Sequence, residues 1–206
     1  MAIVINANDG TISGVAVGGL PDGIVDAGTL ATNSVDSAEL IDGSIDTAHI
    51  ATDQITSAIL PAGSVLQVVT ATTSSNTQIT STTYTDTSLT ANITPSSTSN
   101  KVLVLVSQNV QGQMSSNGEY TVRLQLLRDA TSIQIVIPLS LSAGVGVSST
   151  ITMRSMGTMV QLDSPSTTSE ITYKTQGKVT DLADSVTCRF QEGTTESSIV
   201  LMEIAG

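Results

Sequence analysis

Aromatic residues are almost absent from this chain, with three tyrosines, one phenylalanine and no tryptophan in 206 residues. A core without them must be built from Val, Ile, Leu, Met and Ala, a palette that favours strands over helices. Stacking of a sugar on an indole is impossible. Basic residues are missing from the first half, because all seven lie at or beyond Lys101 and the formal net charge is −11. Neutralising phosphates takes clustered Lys or Arg, so residues 1 to 100 do not suit nucleic acid, and no basic run follows them. Anionic membranes are disfavoured on the same ground.

A single cysteine precludes a disulfide within the chain. Cys188 stands in SVTCRF, where Val186, Cys188 and Phe190 alternate with Thr187 and Arg189, the pattern of a small core residue on a half-buried strand. The start, MAIVINANDGTISGVAVGGLPDG, has no positively charged leader and no apolar run of bilayer length. Neither a signal peptide nor an anchor helix is therefore expected, and assembly in a cytoplasm is the corresponding expectation. The glycines at 14, 18 and 19 fit neither a dinucleotide fingerprint nor a phosphate loop, and no lysine accompanies them. Residues 1 to 20 read instead as a short hairpin or an extended docking segment.

What is present is a repeat. The stretch VDAGTLATNSVDSAELIDGSIDTAHIATDQITSAIL puts an aliphatic residue at every fifth position: Val25, Leu30, Val35, Leu40, Ile45, Ile50, Ile55 and Leu60. Neither the 3.6-residue helix nor the two-residue strand keeps such a series on one face. The units PDGIVDAGTL, ATNSVDSAEL, IDGSIDTAHI and ATDQITSAIL repeat with a period of ten. Their first halves are rich in turn formers, and segments such as IDTAHI have the Asp or Ser start and the alanine of a single helical turn. The expected structure is an extended, short-helix repeat over residues 21–60. One aliphatic in five is too little apolar surface for such a chain to fold alone. Three parallel copies wound round an axis would bury the row, so the eight aliphatics are candidate trimer-axis residues of an intertwined stalk. The competing reading of so polar a segment is an unstructured acidic linker.

Residues 61–206 read as all β. Candidate strands are SVLQVVTATT, TQITSTTYTDTSLTANI, NKVLVLVSQNVQ, EYTVRLQLLRD, TSIQIVIPLSL, SSTITMRSMGTMVQLD, SEITYKTQGKVT, DSVTCRFQE and SSIVLMEIAG, separated by turn clusters such as ITPSSTSN and DSPSTTS. Their number and spacing predict an antiparallel β-sandwich or jelly roll. In YTVRLQL the alternation places Tyr120, Val122, Leu124 and Leu126 inward and Arg123 outward. Pro138 demotes its strand to an edge or a bulge.

Chemistry is sparse. His49, the one histidine, lies inside the repeat, at a position held by Thr29, Glu39 and Ile59 in the other units, so it reads as a variable stalk residue. Three copies of it could converge on a metal or anion, but no supporting ligands accompany it. Asp42 with Asp46, and Asp181 with Asp184, are close in sequence, yet they lack the alternating ligands and final Glu of a calcium loop. No catalytic residue, cofactor or metal is expected, and the chain is read as a non-enzyme.

The stalk units SVDSAELIDGSIDTAHIATDQIT, the junction PAGSVLQVV, the stretches SNKVLVLVSQ and LDSPSTTSEITYKTQ and the ending IVLMEIAG together resemble fibre-like structural proteins of tailed bacteriophages, especially those of marine phages. The resemblance covers most of residues 21–206 and implies a trimeric virion protein with a β-rich head. It carries over no functional residues. On this reading residues 1–20 anchor the fibre to phage tail or capsid proteins, 21–60 form the trimeric stalk and 61–206 the knob. The function expected is that of a short tail fibre, with a capsid decoration or head fibre as the alternative. An adhesin variant of the reading has the knob loops MSSNGE, SAGVGVSS and DSPSTTSE touch a host-cell receptor.

Overall fold

The computed structural model describes residues 4–6, 8, 11–13, 40, 43, 45–52, 54–56, 59–115, 118–143, 149–180 and 186–206. Two compact units divide at Ile55 and Thr56. In the first, β1 (Val4–Asn6) and β2 (Thr11–Ser13) form an antiparallel hairpin with Ile5 opposite Ile12. A hairpin, one of the two forms expected of residues 1 to 20, is present in these two strands.

The repeat differs from expectation in one respect. Among the described residues there is no helix, and the single helical turns expected of the stalk are absent. In their place, backbone hydrogen bonds close tight turns at a step of five: His49 N to Asp46 O (3.1 Å), Gln54 N to Ala51 O (3.3 Å), Ile59 N to Thr56 O (3.0 Å) and Ser64 N to Pro61 O (3.1 Å). The physical reason is that four residues joined by one bond close a turn locally, whereas an α-helical nucleus needs a longer run of good helix formers than Asp, Thr, Ser and Ala supply here. A four-residue turn plus one connecting residue makes five. Ile45, Ile50, Ile55 and Leu60 are the connecting residues, each directly ahead of a turn. The structural unit in this stretch is therefore five residues, and the ten-residue period of the sequence is two of them.

The last turn, Pro61 to Ser64, has Gly63 at its third position with φ +89°, which a type II turn requires and a side chain would resist. It is tied to the chain end by Gly63 N to Ala205 O (2.8 Å) and Ala205 N to Ser64 O (2.9 Å). From there the second unit is all antiparallel β. Its strands are β3 (Val65–Thr73), β4 (Thr77–Ile79), β5 (Thr85–Ile93), β6 (Lys101–Met114), β7 (Gly118–Arg128), β8 (Thr131–Ala143), β9 (Ile151–Asp163), β10 (Ile171–Val179), β11 (Thr187–Phe190) and β12 (Ser197–Ile204).

One sheet has the order β5-β10-β7-β8 and the other β3-β12-β6-β11-β4, with β9 along the far side of β6. The length of β6 explains the second arrangement. Its first half pairs with β12 and its second half with β11 on one edge, while β9 runs beside its whole length on the other. Alternation is regular, as in β10, where Ile171, Tyr173, Thr175, Gly177 and Val179 are buried. Inward side chains of both sheets share one hydrophobic cluster, so they pack as a β-sandwich. Gly177 shows how closely: a Cβ there would lie 2.5 Å from the ring of Phe190 on the facing sheet. Pro138 falls where the β7–β8 register slips, since Val122 pairs with Leu139 but Leu124 with Val136, and β8 is an edge strand. Both expectations for that residue hold.

Candidate functional site

The five-residue row is the feature of the chain that no fold within one copy explains. Of the candidate axis residues, Val25, Leu30 and Val35 lie outside the described residues. Leu40, Ile45, Ile50 and Ile55 are all exposed, with half of Ile45 and more than half of Ile55 open to solvent (50% and 55%), and Leu60 is half-buried. Each of Ile45, Ile50 and Ile55 presents its aliphatic side chain at the same place in its turn. Scattered exposed aliphatics are ordinary on a protein surface, but a periodic series of them is an unfinished surface. The turn that begins at Asp46 is locked by its own side chain, whose Oδ1 accepts from Ala48 N (2.9 Å) and lies 2.8 Å from His49 Nδ1. His49 is thereby committed to its neighbour Asp46 and is exposed, so its local partner is a turn-capping carboxylate.

The remaining candidates fall into structural places. Tyr120, Tyr173 and Phe190 are buried in the sandwich, and Tyr84 lies under the Lys178 ammonium, 4.6 Å from its ring centroid. None of the three buried rings offers a face to a ligand. Burial pushes the Cys188 thiol up to about 12, the state of an inert core residue. Asp42, Asp181 and Asp184 lie outside the described residues. Among the described residues no group of three or more His, Cys, Asp or Glu stands within reach of one metal ion. A cleft of about 360 Å³ opens beside the last turn between Leu60, Ala62, Asn100 and Ala205. Its walls, which include Ser97, Ser99 and Gly206, bear no ionisable side chain. Of the proposed contact loops, DSPSTTSE is exposed over most of its length, while parts of the other two lie outside the described residues.

Two polar clusters escape a reading by composition. Glu203 is 1% exposed, with no cation beside it; its carboxylate accepts from Gln67 Nε2 (2.6 Å), Ser96 N (2.6 Å), Ser96 Oγ (2.8 Å) and Asn100 Nδ2 (2.6 Å). Burial alone pushes its carboxyl up, and these hydrogen bonds from Asn100, Gln67 and Ser96 more than reverse it, so the group is held below the usual Glu value. The signal was available: Ile199, Leu201 and Glu203 share the inward parity of β12. Asp163 at the end of β9 joins the two sheets by accepting from Arg128 Nη1 (2.9 Å) and from the Tyr173 hydroxyl (2.7 Å). Burial and this Asp163 contact push the Tyr173 phenol up. Both clusters hold the sandwich together, and Asn100 of the first also lines the cleft beside the last turn.

No protein-family model matches the chain, and no curated protein sequence matches it. Among solved structures, it is similar in part to the infectious bursal disease virus VP2 subviral particle, at 12% identity and a TM-score of 0.34 over 76% of this chain and 37% of that one. A second similar structure, that of infectious bursal disease virus Gx strain, has 12% identity and a TM-score of 0.30 over 76% of this chain and 42% of the other. The match takes in less than half the length of either.

Proposed function

We propose that this chain is a structural protein of a tailed-phage virion, a short homotrimeric fibre whose five-residue turns form the stalk and whose β-sandwich is the head. The observation that carries this reading is the row Leu40, Ile45, Ile50 and Ile55, uncovered in a single copy and repeated at the pitch of the turns. Parallel copies around an axis would cover it without requiring any other partner. The resemblance of the repeat and the head to phage fibre proteins supports the virion context, and the charge-free row suits association between chains that each carry −11. The hairpin β1–β2 has only three residues per strand, marginal by itself, which suits a segment completed by a tail protein. No catalytic role is part of the proposal.

The test is the mass of the full chain by native mass spectrometry or light scattering at micromolar concentration. A trimer is expected, and Ile50→Asp with Ile55→Asp should dissociate it, since six carboxylates would enter an apolar seam. A wild-type monomer would overturn the proposal. Removal of residues 2–20 should leave the trimer intact but keep it from joining particles.

A further inference from the structure

The two outer faces of the sandwich differ in kind. On the four-stranded sheet, the outward positions of β5, β10 and β7 include Asp86, Lys174, Gln176, Lys178 and Arg123, and register places Lys178 opposite Arg123 and Gln176 opposite Asp86. Charge dominates these strands, while Ile135 and Ile137 are exposed on the edge strand β8. On the six-stranded sheet, pairing sets Val68 beside Met202, Met202 beside Leu103 and Leu103 beside Leu162, one unbroken apolar row across β3, β12, β6 and β9. The next row is Thr70, Val200, Leu105 and Val160, and the one after it Thr72, Ser198, Ser107 and Thr158. None of these positions carries a charge; the nearest on the same face is Lys101, paired with Ile204 beyond the first row, and Arg154 and Arg189 lie farther along it. Val68, Leu162 and Val160 are 53%, 50% and 64% exposed.

We infer that this face of the six-stranded sheet is where copies of the chain meet one another through their β units; the inference deepens the trimer reading and rests on it for the partner's identity. Size argues for a second copy. Four strands spaced about 4.8 Å apart and two rows about 7 Å apart give an apolar area on the order of 300 Å², far short of the roughly 800 Å² per partner that a free-standing specific interface buries. Such a band extends an association made elsewhere. Chain continuity says where: Val65 is the next step after Leu60 in the five-residue series, and it pairs with Ile204, two residues along β12 from Met202. The stretch from Leu60 to Val65 spans at most about 18 Å. Copies joined through the repeat would thus hold their apolar bands near one another at high effective concentration. A band without charge also lets chains of net −11 approach without repulsion at the contact.

The test compares full-length variants by analytical ultracentrifugation. Val160→Glu with Leu162→Glu should raise the dissociation constant at least about tenfold, because two carboxylates per copy would enter the contact. Ile135→Glu with Ile137→Glu, on exposed positions of β8, should leave it unchanged. Circular dichroism of the dissociated chains reports whether the sandwich is intact, and the milder Val160→Thr with Leu162→Thr should weaken association in the same direction should the charged variant fail to fold. An oligomer indifferent to the Val160 and Leu162 changes overturns the inference and leaves the trimer reading standing. A wild-type monomer overturns both. Dissociation by the band variants, with Ile50→Asp and Ile55→Asp inert, removes the repeat from the association and overturns the inference that this face extends it.

Discussion

Glu203 ties the stability of the sandwich to pH through a buried carboxylate. Unfolded, it titrates at the ordinary Glu value of about 4.3; folded, it is held lower by Asn100, Gln67 and Ser96. The stability it contributes is therefore complete above the unfolded value and is lost as pH falls through the folded one. Thermal melting of the sandwich should be level from neutrality to about pH 5 and should fall below about pH 4. Glu203→Gln should shrink that acid-side decline. At neutral pH the same variant should cost about 1–3 kcal/mol in a denaturant titration, since an amide nitrogen would be set against the donors of Asn100, Gln67 and Ser96. A variant as acid-sensitive as the parent would show that other carboxylates control the transition.

At the scale of elements, the strands were legible because their alternation is regular and their turns are chemically marked. Each of the nine predicted segments contains a strand, and only TQITSTTYTDTSLTANI divides in two, into β4 and β5. Which strands share a sheet was not legible, because β6 looks like any other apolar run until its length is seen to accommodate β12 and β11 in series. The repeat was half legible. The five-residue spacing of its aliphatics is plain in the sequence, but Asp and Ser introduce a single helical turn and a capped β-turn alike, and only the hydrogen bonds ending on Asp46, Ala51, Thr56 and Pro61 separate the two. This geometry makes a prediction about spacing. Duplicating residues 51–55 adds one whole turn unit and should preserve the oligomer, whereas inserting three residues after Ile50 should break the series and weaken association. Equal stability of the two insertions, measured by dilution, would mean that the turns do not set the spacing of the apolar contacts.

For the molecule as a whole, an exposed band of apolar side chains on the six-stranded sheet points to a β unit that is complete in its core but not at its surface. A sandwich with this much internal burial should persist after the copies separate, so association and folding are distinct events. Melting of the full chain should consequently show an early transition whose midpoint rises with protein concentration and a later one that does not. A single transition independent of concentration would mean that the chain works alone. Proteolysis gives a parallel view: trypsin finds no site before Lys101, so a protease selective for aliphatic residues is the one that reports on Leu40, Ile45, Ile50 and Ile55, and the rate at which it cuts there should follow dissociation.

The five-residue turn also has a meaning in heredity. A segment built from similar five-residue units can gain or lose a whole unit in its gene without losing the reading frame. Each such event would add or remove one turn while leaving the sandwich untouched. On the proposed fibre reading, stalk length would then vary between descendants in discrete increments.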